Sequence, residues 1–315
     1  MKQLAATIKP VAPFDFGLTA GNQTFFRREI PPTPPLQRGD GGISLAQDVH
    51  RRLLDLRGKL ALASVRSVGS VAAPELAVEL QGDGLTSQDA ALAADQVAWI
   101  LGAHQHLAPF YTLAQGDPVL SAIVERFYGL HLPHAGSVFE ALVLAILGQQ
   151  IASNVARIIR TLLIETYGPC QTIQGETYYA FPRPESLLAA SVEELQRLKL
   201  SRRKAEYIQG IAAAALGESN GLEVLRQLPD AAVVEQLMQL RGVGPWTAQW
   251  ALIRALGRPD AFPLGDLALR RTVSQLYFNG ADLDDTRLEE FSRRWSPWRT
   301  YATIYLFTAL RAGLA

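Results

Sequence analysis

The chain has 315 residues, of which 48% are hydrophobic and 19% charged, and its 30 basic side chains are balanced by 30 acidic ones. This composition is typical of a globular protein of two or three domains with a substantial core. Zero net charge argues against a protein that coats long nucleic acid, although it allows a local grip on a few phosphates. The single cysteine, Cys170, excludes an internal disulfide and a four-cysteine zinc or iron–sulfur site.

The sequence carries no targeting or membrane-spanning pattern. The first residues lack the apolar core of a signal peptide. The most apolar run, at 138–147, is interrupted by Glu140 and is too short to cross a bilayer. His104 and His106 could clamp a metal from a strand, but a solvated loop or helix end is the simpler interpretation. We therefore expect a cytoplasmic protein without a membrane partner.

Residues 1–116 are predicted to form a small α/β domain with an antiparallel sheet. Residues 58–66 and 75–80 alternate between apolar and polar side chains, as strands with one buried face do. Ser87 then caps a helical pattern that runs to about residue 101. The proline/glycine tract near 31–42 is predicted to be a disordered surface loop, with a proline-rich ligand for a partner domain as the alternative.

Residues 117–315 are predicted to form a compact helical bundle. Ser137 caps a helix at 138–147 that is apolar nearly all round and therefore buried. Residues 148–152 interrupt the helical pattern, and a second helix runs to about residue 167. Further helical spacing covers residues 185–200, 205–216, 231–240, 267–278, 285–295 and 297–312. Short connections between these helices favour one bundle over separate modules.

The motif Leu240-Arg241-Gly242-Val243-Gly244-Pro245 suits a tight turn between two helices. Glycine enters left-handed conformations without a Cβ clash, and proline suits the first position of the next helix. The unpaired N–H groups at that helix start can bind an anion. By itself the motif also fits a turn without a ligand. Asp266, in the loop at 262–266, has an equally plain interpretation as the N-cap of the following helix.

In combination, these features resemble the helix-hairpin-helix (HhH-GPD) DNA glycosylases of base-excision repair, most closely the DNA-3-methyladenine glycosylase II (AlkA-like) branch. The matching motifs lie at 145–151, 240–248, 262–266 and 295–302, with a weaker likeness at Phe14-Asp15-Phe16 and in the unit that follows. The resemblance implies a mainly α fold, in which a small α/β domain precedes a helical glycosylase bundle. That bundle would have two helical subdomains with the active-site cleft between them.

The resemblance assigns most DNA contacts to the hairpin. Four residues would hold a phosphate and fix the register without reading sequence: Gly242, Val243, Gly244 and Thr247. A structural Na⁺ or K⁺ is the only cofactor implied, at the backbone carbonyls of Met238, Leu240 and Val243. The single cysteine argues against the iron–sulfur branch of the superfamily.

Two further regions are implied to touch DNA. Lys204 would add a phosphate contact, with a solvated helix start as the alternative. Flipping a nucleotide out of the stack leaves a hole that a wedge must fill. The resemblance places the wedge at Gln149 and Gln150, where the alkylation branch usually has a leucine. The Gln150 amide can stack on the orphaned base and hydrogen-bond to it, so the role is retained.

Asp266 is predicted to be the catalytic residue. Cleavage of an N-glycosidic bond develops positive charge on the sugar, which a carboxylate stabilises while it orients or deprotonates a water. Bifunctional relatives carry a lysine after the hairpin proline. Here that residue is Trp246, and no lysine follows Lys204, so we expect a monofunctional enzyme that leaves an abasic site. In the last motif, Trp295 and Trp298 are expected to be core residues. Arg299 is expected to pair with Asp266 or with a phosphate.

Aromatic side chains are predicted to hold the flipped base. Alkylated purines carry positive charge, which electron-rich rings attract. Trp246 and Trp250 share one face of the helix after the hairpin. Phe307 stands where the family places a pocket tryptophan, and Leu267 where it can carry a tyrosine. Core packing is the alternative for Trp250 and Phe307.

The sequence therefore predicts a monomeric, nucleoid-associated glycosylase that removes alkylated purines of the 3-methyladenine and 7-methylguanine type from duplex DNA. One alternative is an HhH glycosylase for deaminated purines such as hypoxanthine. Another is a non-catalytic HhH DNA-binding protein, which the intact Asp266 disfavours. A small-molecule hydrolase would need a nucleophile elbow or a set of metal ligands, and the sequence has neither.

Overall fold

Residues 2–21, 27–28, 49–217 and 221–314 are described by a computed structural model. The chain divides into two units. Unit 1 consists of Met1–His106, Tyr128–Pro133 and Pro169–Ala180, and unit 2 of Leu107–Phe127, His134–Gly168 and Phe181–Ala315. The first boundary thus falls after His106 rather than after residue 116, and two later segments return to unit 1. The proline/glycine tract near 31–42 lies outside the described residues.

Unit 1 is built on an antiparallel sheet of order β1-β5-β4-β3-β2. Its strands are β1 (Lys2–Ile8), β2 (Arg27–Arg28), β3 (His50–Leu56), β4 (Lys59–Ser67) and β5 (Leu76–Gly82). Helices α1 (Phe16–Gly21) and α2 (Ser87–Ile100) complete this part, and one apolar core joins the sheet to both. The N-cap of α2 is Thr86 rather than Ser87, because Thr86 and Asp89 form a reciprocal capping box.

A short hairpin also belongs to unit 1. Its strands β6 (Cys170–Ile173) and β7 (Glu176–Tyr179) lie in a stretch for which the sequence predicted only helices. Ile173 and Tyr178 pack against Leu53 and Leu62 on the sheet. Strands this short carry too little alternation to be recognised, and their packing partners lie far away in the sequence.

Unit 2 is helical. Its helices are α3 (Ala108–Ala114), α4 (Pro118–Arg126), α5 (Val138–Gly148), α6 (Ser153–Tyr167), α7 (Pro184–Ala189), α8 (Val192–Arg197), α9 (Arg202–Ala215), α10 (Asp230–Met238), α11 (Pro245–Arg254), α12 (Leu267–Phe278), α13 (Asp285–Ser292) and α14 (Arg299–Arg311), with 3₁₀ turns at Gly221–Gln227 and Arg293–Trp295. The predicted mainly α fold with a small antiparallel sheet is confirmed.

Local capping explains where the helices of unit 2 begin and end. Ser137 caps α5 as predicted, and α5 is buried between α9 and α11. The predicted helix at 185–200 is instead two helices, α7 and α8. Ser191 starts the second one, because its hydroxyl accepts from the Glu194 N–H while the Glu194 carboxylate accepts from the Ser191 N–H. The division of the bundle into two helical subdomains stays a prediction.

A buried carboxylate ties two helices and a 3₁₀ turn of unit 2 together. Asp117, at the N-terminus of α4, accepts hydrogen bonds from the Leu120 N–H, the Tyr277 hydroxyl and the Trp295 indole. Burial and the neighbouring Asp117 charge raise the pKa of Tyr277. Trp295 is fully buried, as the sequence predicted, whereas Trp298 is half-buried against the Tyr301 ring.

None of the helices in the described ranges is long and apolar enough to span a membrane.

We predict that Asp117→Ala lowers the free energy of unfolding by about 3 kcal/mol, because three donors, two of them fully buried, lose their acceptor. The control is Asp284→Ala, which removes an exposed N-cap from α13 and should cost only about 1 kcal/mol. Urea unfolding followed by tryptophan fluorescence measures both variants. Equal costs would show that the buried cluster contributes no more than a surface cap.

Candidate functional site

The turn between α10 and α11 has the geometry that its glycines predict. Gly242 has φ of +91°, and the Val243 N–H closes the turn on the carbonyl of Leu240 at 3.0 Å. A Cβ at position 242 would lie 2.2 Å from the Tyr207 ring, so both backbone conformation and space require glycine there. Gly244 caps α11 with φ of −100°, and a Cβ at that position would meet no neighbouring atom.

The start of α11 presents backbone donors rather than side chains. The first N–H groups of a helix have no acceptor within the helix, and the dipole is positive at that end. Val243 and Thr247 are buried, with exposed fractions of 6% and 2%. Any contact of Thr247 with an anion is therefore left to its backbone N–H, whereas the Val243 N–H is already engaged by the Leu240 carbonyl. This arrangement fits a phosphate held by amides.

The break between α5 and α6 is fastened to the hairpin by Gln149. Its Nε2 donates to the Gly242 carbonyl and to the Thr247 hydroxyl, each at 3.0 Å. This corrects the prediction that Gln149 shares the wedge role, because its amide is engaged inside the protein. Gln150 is exposed and has φ of +55°, so it projects from the break as the remaining wedge candidate.

Lys204 braces the same break from α9. Its Nζ donates to the carbonyls of Leu147 at 3.0 Å and Gln149 at 2.7 Å. Burial lowers the pKa of Lys204. The structure therefore places Lys204 as a support of the break rather than as the predicted phosphate contact. The physical reason is that carbonyls at a helix C-terminus lack partners within the helix and attract a cation.

Asp266 is held by three N–H donors. Its Oδ1 accepts from the Ala268 and Leu269 backbone, each at 3.0 Å, which makes it the N-cap of α12. Its Oδ2 accepts from the Trp246 indole Nε1 at 2.9 Å. Because a carboxylate has about four acceptor sites, one remains for a water or a cationic sugar. Gly265, with φ of +85°, turns the chain into this position, and the Asp266 side chain is half-buried.

The three predicted pocket rings form a continuous row that begins at Asp266. The Trp246 and Trp250 ring centroids are 6.3 Å apart, and Trp250 lies 5.8 Å from Phe307. All three rings are half-buried, so none is committed wholly to the core. The Arg254 guanidinium lies 5.6 Å from the Trp250 centroid and ends the row. Burial and the nearby Arg311 charge lower the pKa of Arg254 to about 10.

Arg299 pairs with Asp260, not with Asp266. Its Nε donates to Oδ1 at 3.0 Å and its Nη2 to Oδ2 at 2.8 Å. Burial acts to raise the pKa of Asp260, but the hydrogen bonds and charge of Arg299 lower it overall. The predicted partnership of Arg299 with Asp266 or with phosphate is therefore corrected. The guanidinium at the start of α14 binds the Asp260 carboxylate through two parallel hydrogen bonds, a geometry that arginine favours.

The carbonyls proposed for a monovalent cation lie at the end of α10 and in the turn. The carbonyl of Met238, in the last turn of α10, has no partner within the helix. Among the backbone hydrogen bonds of the turn, the Leu240 carbonyl accepts one, from the Val243 N–H. A carbonyl oxygen has two lone pairs, so the second can face a cation. Neutral carbonyl oxygens of this kind fit a hard cation.

Three residues of the site were not found from the sequence: Tyr207, Arg254 and Asp260. Arg254 could have been found, because it continues the helical spacing of Trp246 and Trp250 by one more turn. Tyr207 and Asp260 had no local signal, since each contacts a distant part of the chain.

Comparisons with known proteins find relatives that share this site's family. The family model for "HhH-GPD superfamily base excision DNA repair protein" matches residues 143–298. DNA-3-methyladenine glycosylase of Bacillus subtilis (strain 168) is 33% identical over 204 residues, which are 65% of this chain and 67% of the relative. DNA-3-methyladenine glycosylase 2 of Escherichia coli (strain K12) is 28% identical over 57% of this chain and 60% of the relative.

A solved structure supports the same assignment over the whole length. The 3-methyladenine DNA glycosylase from Archaeoglobus fulgidus superposes with a TM-score of 0.80 and 29% identity, covering 98% of each chain. With the hairpin, the capped acid and the aromatic row in place, the fold and site define a base-excision DNA glycosylase. The chain belongs to the HhH-GPD superfamily, close to its DNA-3-methyladenine glycosylase II (AlkA-like) branch.

We predict that Gly242→Ala lowers the free energy of unfolding by about 2 kcal/mol, because it combines an unfavourable φ with a clash against Tyr207. The matched control is Gly244→Ala, whose backbone conformation suits alanine and should change stability by no more than about 0.5 kcal/mol. Urea denaturation measures both. If both variants lose equal stability, the Tyr207 contact does not constrain the turn.

Proposed function

We propose that the protein hydrolyses the N-glycosidic bond of alkylated purines, of the 3-methyladenine and 7-methylguanine type, in duplex DNA. The observation that carries this proposal is the Asp266 carboxylate bonded to Trp246 at the head of an aromatic row. The names of the Bacillus subtilis and Escherichia coli relatives support the same substrate class.

In this mechanism the damaged nucleotide leaves the stack and its base enters the aromatic row. Trp246, Trp250 and Phe307 attract a cationic base through their ring faces. Gln150, exposed at the break between α5 and α6, fills the hole left in the duplex. Asp266 faces the anomeric carbon, stabilises the developing positive charge and orients the attacking water.

The hairpin holds the DNA backbone during this step. Amides at the start of α11 would accept one phosphate, which fixes the register without reading sequence. The carbonyls of Met238, Leu240 and Val243 would hold a Na⁺ or K⁺, whose charge would favour the same phosphate. The monomeric state and the nucleoid-associated, cytoplasmic location stay predictions.

The reaction is proposed to stop at the abasic site. A lyase needs an amine at the anomeric carbon to form a Schiff base. Trp246 occupies that position after the hairpin proline, and the Lys204 ammonium donates to two carbonyls at the α5 end. Water is therefore the nucleophile that remains.

One observation favours a second lesion class. The Arg254 guanidinium lies over the Trp250 ring, so one face of that ring already holds a cation and its attraction for a cationic base is weakened. A second positive charge in the same place would be repelled. Neutral deaminated purines such as hypoxanthine would not be, and they are the alternative substrate for the same chemistry.

We predict that Asp266→Asn lowers the single-turnover excision rate by about 100-fold or more, because the sugar cation loses its counter-charge. Free 3-methyladenine, 7-methylguanine and hypoxanthine are measured after incubation with methylated and inosine-containing duplexes. Asn caps helices as well as Asp does, but its NH₂ group cannot accept from the Trp246 indole, so stability should fall by about 1 kcal/mol while the fold is kept.

The control for that experiment is Asp284→Asn, the corresponding change at the N-cap of α13, which should leave excision unchanged. Release of hypoxanthine alone by the wild type would select the second lesion class. Release of none of the three bases would overturn both, and full activity in Asp266→Asn would remove Asp266 from catalysis.

We also predict that borohydride does not trap the protein on damaged DNA, because no lysine reaches the anomeric carbon. Denaturing electrophoresis of the borohydride-treated reaction, with a bifunctional glycosylase as positive control, detects any adduct. Strand cleavage or a trapped adduct would contradict the monofunctional mechanism.

A further inference from the structure

The break between α5 and α6 holds one residue in an unfavourable backbone conformation. Gln150 is exposed and has φ of +55°. The left-handed region is unfavourable for a residue with a Cβ, and such a residue stays there only where its surroundings hold it. Within the described ranges no side-chain hydrogen bond reaches Gln150. Its conformation is therefore supported through its neighbours along the chain.

Lys204 fixes the peptide group that precedes Gln150. Its Nζ donates to the Gln149 carbonyl at 2.7 Å. That carbonyl belongs to the same planar peptide unit as the Gln150 N–H, and φ of Gln150 is the rotation that starts from this plane. The same ammonium donates to the Leu147 carbonyl, in the last turn of α5, at 3.0 Å. Lys204 thus holds the peptide plane that leads into Gln150 against the end of α5.

The place of Lys204 in its own helix gives it no local advantage. Lys204 lies in the first turn of α9, where the helix dipole disfavours a cation. No carboxylate pairs with it in the part of the chain that the structure describes. Ser201 caps α9 and Ala205 is fully buried, so the turn that carries Lys204 is fixed. The carbonyls at the end of α5 are the acceptors that explain a cation here.

The α6 end of the break lacks a comparable support. Ala152 is the N-cap of α6 and provides no side-chain hydrogen bond. The Gln149 side chain fastens the break to the hairpin, but its amide is two rotations removed from the backbone it supports. Of the contacts in the described ranges, the Lys204 bond is therefore the one that acts directly on the backbone beside Gln150.

Resting on the proposed function, in which Gln150 fills the hole in the duplex, we propose that Lys204 is a positioning residue for this wedge. It keeps Gln150 in the left-handed conformation before DNA arrives, so that insertion starts from a competent state. Without this support the competent state is only partly populated, and insertion weakens by the same fraction. Lys204 itself contacts neither the base nor the reacting atoms.

The test follows insertion into a duplex that carries 2-aminopurine opposite a tetrahydrofuran abasic analogue, which cannot be cleaved. The emission of 2-aminopurine reports a side chain that stacks on it. At saturating protein, Lys204→Met should lower the ratio of inserted to non-inserted complex by about 10-fold, the order set by the strain of a left-handed residue with a Cβ. Lys204→Arg keeps the charge and the donors and should retain more of the inserted complex.

A double-mutant cycle separates positioning from a general role in stability. Affinity for the same duplex is measured by fluorescence anisotropy. Lys204→Met should weaken the affinity of the wild type but leave that of Gln150→Ala unchanged, because the two residues act through one step. A lysine that only stabilised the fold would weaken both backgrounds equally.

The salt dependence separates positioning from a phosphate contact. If Lys204 bound a phosphate, Lys204→Met would reduce the slope of log K against log salt by about 0.9, whereas the positioning role predicts an unchanged slope. The matched control is Arg203→Met, which removes the adjacent exposed cation of α9 and should leave the insertion ratio at the wild-type value.

A wild-type insertion ratio in Lys204→Met would overturn the inference, as would an equal loss of affinity in both backgrounds or a reduced salt slope. A wild-type signal in Gln150→Ala would also overturn it, because no wedge would then be positioned. A protein that inserts Gln150 with the predicted dependence on Lys204 but releases no base from damaged DNA would contradict the proposed function alone.

Discussion

The hydrogen bond from the Trp246 indole to the Asp266 carboxylate is the contact on which the site depends. It joins the helix that follows the hairpin to the loop that precedes α12. Gly242 sets where α11 begins and therefore where Trp246 lies. Gly265 and the cap of α12 set where Asp266 lies. Because one bond links them, a shift of the hairpin displaces the candidate phosphate grip and the candidate acid together.

A second connection couples the wedge to the same frame. Gln149 donates to the hairpin and Lys204 donates to the end of α5, so the break that exposes Gln150 is fastened on two sides. Both supports satisfy carbonyls that would otherwise lack partners. The residue proposed to fill the duplex and the amides proposed to hold the backbone are thus joined by hydrogen bonds.

Two arginines near the site are engaged in ion pairs within unit 2. Arg299 is committed to Asp260, and Arg270 to Asp285. Two indoles and the Arg254 guanidinium follow one another along α11, and the Asp266 carboxylate accepts from the first indole. The candidate base pocket therefore lies between the Asp266 carboxylate and the Arg254 guanidinium.

The elements that carry a local signal could be predicted from the residues alone. The caps at Ser137 and Asp266, the turn at Gly242 and the spacing of Trp246 and Trp250 follow from backbone geometry within a few residues. Local patterns could not separate Gln149 from Gln150, nor recognise the strands β6 and β7. Local patterns also could not predict the hydrogen-bond partners of Lys204, Arg299 and Trp295.

Those outcomes were decided by the tertiary structure, because each depends on a donor or acceptor brought from elsewhere in the chain. The sequence shows a glutamine, a lysine or an arginine near an active site, but it does not show whether that side chain faces solvent or donates to a carbonyl. Only the folded chain shows which carbonyls and carboxylates lack a hydrogen-bond donor from the backbone. Those acceptors determine where the polar side chains lie.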